Sequence, residues 1–212
     1  MVAARAGNED CIRAIVEAGA DVDSRSRSRC TALIIAAMDG LKTSVSALIE
    51  CKADVDAVTS DSVSALYCAA QGGHCEVAAL LIVGKANINL GHNDGRSPLY
   101  MAAQRSNNEM IATLLESDGI DVNKAQKDGR TPLYITAEKG NHQGVHMLIS
   151  RKADVNLADS AGFTPLHRAV EFGGIETVVK ILQDPDVDIN KGRKDGVTPL
   201  YLALEKGDTK MV

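Results

Sequence analysis

A ten-residue segment recurs along the chain, and its period constrains the fold more than any other feature. Residues 94–103 read Asp-Gly-Arg-Ser-Pro-Leu-Tyr-Met-Ala-Ala, and residues 128–137 read Asp-Gly-Arg-Thr-Pro-Leu-Tyr-Ile-Thr-Ala. Six copies align on a Ser or Thr at Thr31, Ser64, Ser97, Thr131, Thr164 and Thr198. The steps between them are 33 or 34 residues. Such a period predicts a stack of short units that share one core.

Each copy has the residue types of a turn that leads into a helix. Asp-Gly is a turn signal because glycine adopts positive φ freely. Ser97 or Thr131 then suits the N-cap, and Pro98 or Pro132 suits the first helical position, where a missing N–H costs nothing. The small Ala pair that follows lets one helix lie close to the next. Each copy is therefore predicted to begin a closely packed helix.

A second apolar segment follows in every unit. Residues 76–82, 110–115 and 177–182 place apolar side chains at helical spacing, which predicts a second helix packed on the first. The extra residues of the 34-residue steps fall near 117–119 and 184–186, in the loop after this helix, where insertions are tolerated. The predicted units are 1–23 (partial), 24–56, 57–89, 90–123, 124–156, 157–190 and 191–212 (partial). Neither end has the polar outer face of a capping repeat, so we expect either a fragment of a longer array or an array that has been trimmed.

From residue 3 to residue 212 the chain resembles the ankyrin repeat. The resemblance rests on four features of each unit: the turn, the Thr-Pro-Leu-His-like cap, the paired helices and the Ala-Asp-Val-Asn exit. The resemblance implies a single domain over 1–212, an all-α repeat solenoid of stacked helix-turn-helix units with β-hairpin-like finger loops. It also implies a curved array whose concave face and fingertips bind other macromolecules, usually proteins.

The chain departs from the family pattern at several positions. The motif histidine is present only as His167, and tyrosines replace it at Tyr67, Tyr100, Tyr134 and Tyr201. Arg29 and Ser62 stand where later fingers have the turn glycine, so we expect those two tips to be less well defined or differently shaped. Gly144 lies at an apolar position of a second helix, where glycine costs about 1 kcal/mol against alanine. We expect that unit to be a weak point.

Composition and charge exclude several classes of function. The net charge is −5 and neither half is basic, which argues against a general nucleic-acid binder. No apolar run approaches the roughly 18 residues of a membrane span. The five cysteines form no CxxC pair, and an odd number of thiols is typical of a reducing compartment, the cytoplasm or nucleus.

Catalytic and metal-binding patterns are weak. The cysteines and histidines all occupy positions with an ordinary role in the repeat, so we expect no catalytic residue. His142 and His146 have the spacing of a shared metal site on one helix, but no suitable third ligand lies beside them. A solvated outer face is the better interpretation, and we expect no metal and no cofactor.

The candidate binding residues lie at the fingertips and just after the Ala pair, which are the target-facing positions of the family. Phe163 and Phe172 are the only phenylalanines, both occupy such positions, and both lie in unit 157–190. Aromatic side chains with charged neighbours are typical of the anchor and rim of an interface. Alternatively, Phe163 folds back on its own finger and Phe172 packs on the next unit. The predicted partner-binding set is Phe163, Phe172, Arg130, Lys139, Arg96, Arg105, Val197 and Lys206.

A second charged feature lies near the start of the array. Arg25, Arg27 and Arg29 alternate with serines, and alternate residues of an extended strand face one way, so they could form one basic edge. They are either a solvated tip or a surface that steers an acidic partner.

Two functional hypotheses follow. The first is a monomeric, non-enzymatic scaffold that binds a protein partner through its concave face and finger loops. The second is a regulatory or targeting module of a larger enzyme or channel whose active domain lies elsewhere. Because ankyrin stacks bind unrelated targets, the fold cannot name the partner.

Overall fold

The structure is a computed structural model, and it describes residues 9–205. The start of the predicted partial unit 1–23 and the end of the predicted partial unit 191–212 lie outside the described residues. The candidate binding residue Lys206 lies outside them as well.

Each of the five full units contributes an inner helix and an outer helix, and each partial unit contributes one helix within residues 9–205. The inner helices are α2 (Ala32–Met38), α4 (Ala65–Gly72), α6 (Pro98–Gln104), α8 (Pro132–Glu138), α10 (Pro165–Arg168) and α12 (Pro199–Glu205). The outer helices are α1 (Glu9–Glu17), α3 (Lys42–Glu50), α5 (Cys75–Val83), α7 (Asn108–Leu115), α9 (His142–Ser150) and α11 (Gly174–Leu182). Inner helices pack on inner helices and outer on outer, and in the five full units the inner helix packs on the outer helix of the same unit. The predicted all-α repeat solenoid is confirmed.

The inner helices begin as the sequence predicts. The Ser97 hydroxyl accepts a hydrogen bond from the Tyr100 N–H, and the Thr131 hydroxyl accepts one from the Tyr134 N–H, both at 3.1 Å. A proline follows each cap at the start of the helix. Ala103 is fully buried, as the close approach of neighbouring helices requires. These caps satisfy N–H groups that would otherwise be left without a partner in the core.

The finger loops are closed and joined by backbone hydrogen bonds. Within one finger the Gln126 N–H donates to the Arg130 carbonyl at 2.9 Å. Between fingers the Lys127 N–H donates to the Asp94 carbonyl at 2.8 Å. Over residues 9–205 the ladder pairing of a β-hairpin is limited to an isolated bridge between Val58 and Ser64. The fingers are therefore tight turns stacked side by side.

The two fingers without a turn glycine make the same turn as the others. Arg29 and Ser62 adopt φ of 60° and 61°, and Gly129 has φ of 89°. The Arg29 N–H donates to the Ser26 carbonyl at 2.9 Å, just as the Gly129 N–H donates to the third residue before it. The turn is therefore not differently shaped, and the alternative expectation, a less well defined tip, stays a prediction. The missing glycine instead leaves a side chain in the left-handed region, which costs energy.

Gly144 is not a simple weak point, because close packing requires it. A Cβ atom there would lie 2.8 Å from the Thr136 methyl group and 2.7 Å from Asn141 Nδ2. Asn141 caps α9 by accepting a hydrogen bond from the Gly144 N–H at 3.0 Å. Glycine lowers the helix propensity at this position, but it allows α9 to lie against Thr136 more closely than alanine would.

Candidate partner-binding site

The first turn of α10 is held by reciprocal hydrogen bonds around His167. The His167 N–H donates to Thr164 Oγ1 at 3.3 Å, and the Thr164 N–H donates to His167 Nδ1 at 3.2 Å, which is a capping box. Nδ1 is therefore an acceptor, and Nε2, 3.1 Å from the Val197 carbonyl, is the donor. Burial lowers the pKa of His167, and the nearby Arg193 and Arg168 guanidinium groups lower it further. The neutral ring joins α10 to the next finger.

Arg168, the next residue, is the centre of a set of polar contacts between units. Its Nε donates to Tyr134 Oη, and its Nη1 donates to the Glu171 carboxylate. Its Nη2 lies 3.7 Å from an Asp159 carboxylate oxygen. The Arg168 side chain is 15% exposed and the Asp159 side chain 6%. Charged groups buried this far are costly unless they are paired, and here each has its partner.

The same guanidinium also lies against three aromatic rings. The Arg168 Cζ atom is 3.9 Å from the ring centre of Phe163, 5.3 Å from that of Tyr134 and 5.8 Å from that of Phe172. Arg193, from the following finger, places its Cζ atom 4.5 Å from the Phe163 ring centre. These are cation–π distances. We call Tyr134, Phe163, Arg168, Phe172 and Arg193 the arginine–aromatic cluster.

Carboxylates balance the two arginines of the cluster. Burial opposes ionisation of Asp159, but the hydrogen bond from Tyr134 Oη at 2.7 Å, two backbone N–H donors and Arg168 outweigh it, so its pKa lies below the usual value. Burial raises the pKa of Tyr134, and its hydrogen bond to Asp159 raises it further. Arg193 pairs with Asp195. The arginines are therefore held in place rather than left open to a ligand.

Phe172 is the part of the cluster that faces solvent. It lies in a π-helical segment, Ala169–Gly173, that continues α10 directly into α11, and it is 60% exposed. The previous unit turns at Gly140, with φ of 68°, whereas here the positive φ of 76° occurs at Gly174, one position later in the repeat. A Cβ atom on Gly140 would lie 3.0 Å from the Gly173 carbonyl, so the two turns are in close contact. Single π-helical turns are frequent at functional sites.

Several predicted site residues meet at this cluster. Phe163 and Phe172 both lie on Arg168, and Phe163 is half-buried between that side chain and the next finger. Arg130 reaches the cluster through Tyr134, whose ring centre is 5.8 Å from its Cζ atom. Val197 is half-buried and contacts the core, and its backbone bonds to His167.

The remaining predicted residues lie away from these contacts. Lys139 and Arg105 are exposed and end the inner helices of units 124–156 and 90–123. The Arg96 side chain is held by Asp94 through a hydrogen bond of 2.7 Å. That these residues contact a partner stays a prediction, and the same holds for the rest of the predicted set.

Sequence reasoning missed Arg168, although the alignment of the copies carries a signal for it. The equivalent position is apolar in every other copy: Ile35, Cys68, Met101, Ile135 and Leu202. A single charged residue in an apolar column indicates a local polar network in the fold. Asp159 was missed because nothing in its own finger predicts that Tyr134 approaches it.

Residues 9–205 show neither a metal-binding group nor a membrane-spanning helix. No group of three or more His, Cys, Asp or Glu side chains there could hold a metal ion. In that same range no helix has the length and apolar character needed to cross a membrane. His142 and His146 are both exposed on α9, as expected for a solvated outer face.

Comparison with known proteins agrees with the architecture. The sequence model of the family described as Ankyrin repeats (3 copies) matches residues 1–91, 44–126, 66–159 and 119–193. No curated protein sequence gave a significant match. Among solved structures, the human ASB11 ankyrin repeat domain is similar, with 24% identity and a TM-score of 0.80, over 95% of this chain and 89% of that one. At that identity the likeness concerns the fold alone. The chain belongs to the ankyrin repeat family.

Proposed function

We propose that the chain is a non-enzymatic scaffold that binds a protein partner through its inner helices and finger loops, with the arginine–aromatic cluster as the main contact. The observation that carries this proposal is the 60% exposure of Phe172 beside an immobilised Arg168. An exposed aromatic ring on a rigid support loses little conformational freedom when a partner covers it.

The chemistry of the cluster favours a protein over other ligands. Aromatic and arginine side chains dominate binding hot spots, and surrounding charges form the rim that excludes water. Both arginines of the cluster are already paired with carboxylates, so a polyanion such as nucleic acid would find little free positive charge. The ankyrin fold is typically non-catalytic, which agrees with a role in binding. We further propose a monomer in a reducing compartment, the cytoplasm or nucleus.

We also propose a second, alternative function. The same surface would serve equally as the targeting or regulatory module of a larger enzyme or channel, with its activity in another domain. The sequence of the complete gene product distinguishes the two proposals, because a catalytic or channel domain beside the array would transfer the activity to that domain.

The binding proposal is best tested at Phe172, because Phe163 is packed between two arginines and its removal would disturb the fold. A partner captured from native lysate should bind Phe172→Ala about 30-fold more weakly than the parent chain, which corresponds to about 2 kcal/mol. The matched control is Val83→Ala, a 78% exposed apolar residue in unit 57–89. If Phe172→Ala and Val83→Ala bind the partner as the parent does, the cluster is not the site.

A further inference from the structure

The finger formed by residues 24–30 differs in charge from the other fingers. It carries three arginines and no carboxylate, whereas each of the five later fingers carries one aspartate. Those aspartates are Asp61, Asp94, Asp128, Asp159 and Asp195. Uncompensated positive charge is therefore concentrated at one tip of an array whose net charge is −5.

The arginines of this finger also differ in their contacts. Arginines of three later fingers each pair with the aspartate of their own finger: Arg96, Arg130 and Arg193. Within residues 9–205, by contrast, Arg27 and Arg29 form no ion pair, and Arg25 makes a hydrogen bond of 3.3 Å to the Val58 carbonyl. All three are exposed. Their guanidinium groups keep most of their donors available for a ligand.

The finger holds these arginines on a defined turn. The Arg29 N–H donates to the Ser26 carbonyl at 2.9 Å, so Arg27 and Ser28 are the central residues of the turn. The Cys30 N–H donates to the Ser26 hydroxyl at 3.1 Å. Arg25 thus precedes the turn, Arg27 lies within it and Arg29 ends it, so the segment is not the extended strand on which the single basic edge was based. Arg29 occupies the left-handed region at a position where four later fingers have glycine, as Ser62 does in the next finger.

We propose that finger 24–30 is a second recognition site and binds an acidic segment of a protein partner. Guanidinium groups suit this role because each can grip a carboxylate with two parallel hydrogen bonds. The Ser28 hydroxyl at the tip lies 3.0 Å from the Ser26 hydroxyl, so we count only the arginines as donors for a ligand. A long nucleic acid fits less well, because three positive charges on an acidic protein neutralise few phosphates. The site lies four units from the arginine–aromatic cluster and does not depend on it.

The experiment measures binding of fluorescein-labelled octaglutamate to the whole chain by fluorescence anisotropy, in low and in physiological salt. The finger variant is Arg25→Gln/Arg27→Gln/Arg29→Gln. The control variant, Lys52→Gln/Lys85→Gln/Lys152→Gln, removes the same charge from exposed positions in three different units. Those lysines also adopt positive φ, so glutamine keeps their conformation. Circular dichroism checks that both variants are folded.

We expect the finger variant to bind octaglutamate about tenfold more weakly than the parent, with a smaller dependence on salt. The lysine control and Phe172→Ala should bind within about twofold of the parent. Equal weakening by both triple variants would assign binding to net charge, and undetectable binding by the parent would exclude the site. Tighter binding of an oligothymidylate through the same arginines would overturn the assignment to a protein.

Discussion

The Arg168 guanidinium lies over the Phe163 ring, with its Cζ atom 3.9 Å from the ring centre. The two residues are five positions apart, one at the end of a finger and the other in the inner helix that follows. Because the same guanidinium bonds to Tyr134 of the preceding unit, it couples a finger, a helix and a neighbouring unit. The shape of the candidate binding surface therefore depends on one side chain.

Replacing Arg168 with methionine should destabilise the chain by about 2–3 kcal/mol. The variant loses the cation–π contacts and leaves the buried Asp159 carboxylate without its cation. Urea-induced unfolding followed by circular dichroism measures the change. Arg105→Met, at an exposed position, is the control and should change the free energy of unfolding by less than about 0.5 kcal/mol. A loss no larger than that of the control would contradict the central role of Arg168.

Stability should fall with acidification in a way that depends on His167. The pKa of His167 in the fold lies below the ordinary value of 6.5, so below that pH the unfolded chain takes up a proton that the folded chain does not. The stability that the fold gains by keeping His167 neutral is therefore fully present above about pH 6.5. It is lost as the pH falls through the pKa of His167 in the folded chain. His167→Tyr, the residue of four other copies, should show a shallower loss of stability between pH 7.5 and about pH 5. The other histidines are common to both chains, so parallel curves would refute the assignment.

Alanine at Gly144 should destabilise α9 despite its better helix propensity. Propensity alone predicts a gain of about 1 kcal/mol. The new methyl group would collide with Thr136 and Asn141, and overpacking costs about 1–3 kcal/mol, so we expect a net loss of about 1 kcal/mol. Thermal unfolding of Gly144→Ala measures it. In a Thr136→Ser background, which lacks the colliding methyl group, Gly144→Ala should lower the stability less. If Gly144→Ala stabilises the chain, this packing argument is wrong.

Glycine at position 29 should stabilise the fold and weaken the proposed acidic-peptide site. Relief of the left-handed strain at Arg29 is expected to contribute about 1 kcal/mol, after allowance for the added freedom of the unfolded chain. The reverse change, Gly129→Ala, should destabilise the chain, because its Cβ atom would lie 2.9 Å from the Ala158 carbonyl. Differential scanning calorimetry compares the two variants. An unchanged midpoint for Arg29→Gly would mean that the turn is not strained.

Much of the fold could be predicted from the sequence because it rests on local contacts. The cap at Ser97 bonds to Tyr100, three residues later, and similar caps recur in the other units. The shape of the fingertips and the need for Gly144 could not be predicted. The turn geometry was hidden because Arg29 adopts the positive φ that the sequence reserves for glycine. The need for Gly144 was hidden because the Thr136 methyl group that crowds it belongs to another helix.

The sequence by itself determined the repeat period, the pairing of helices and the unit in which both phenylalanines lie. These are properties of spacing and of contacts within a few residues, which every copy repeats. Only the tertiary structure decided that Arg168 is the centre of the candidate site. Its partner Tyr134 lies 34 residues away, and Tyr134 in turn meets Asp159 across 25 residues. Those contacts exist because stacking places successive units side by side, a proximity that no single copy encodes.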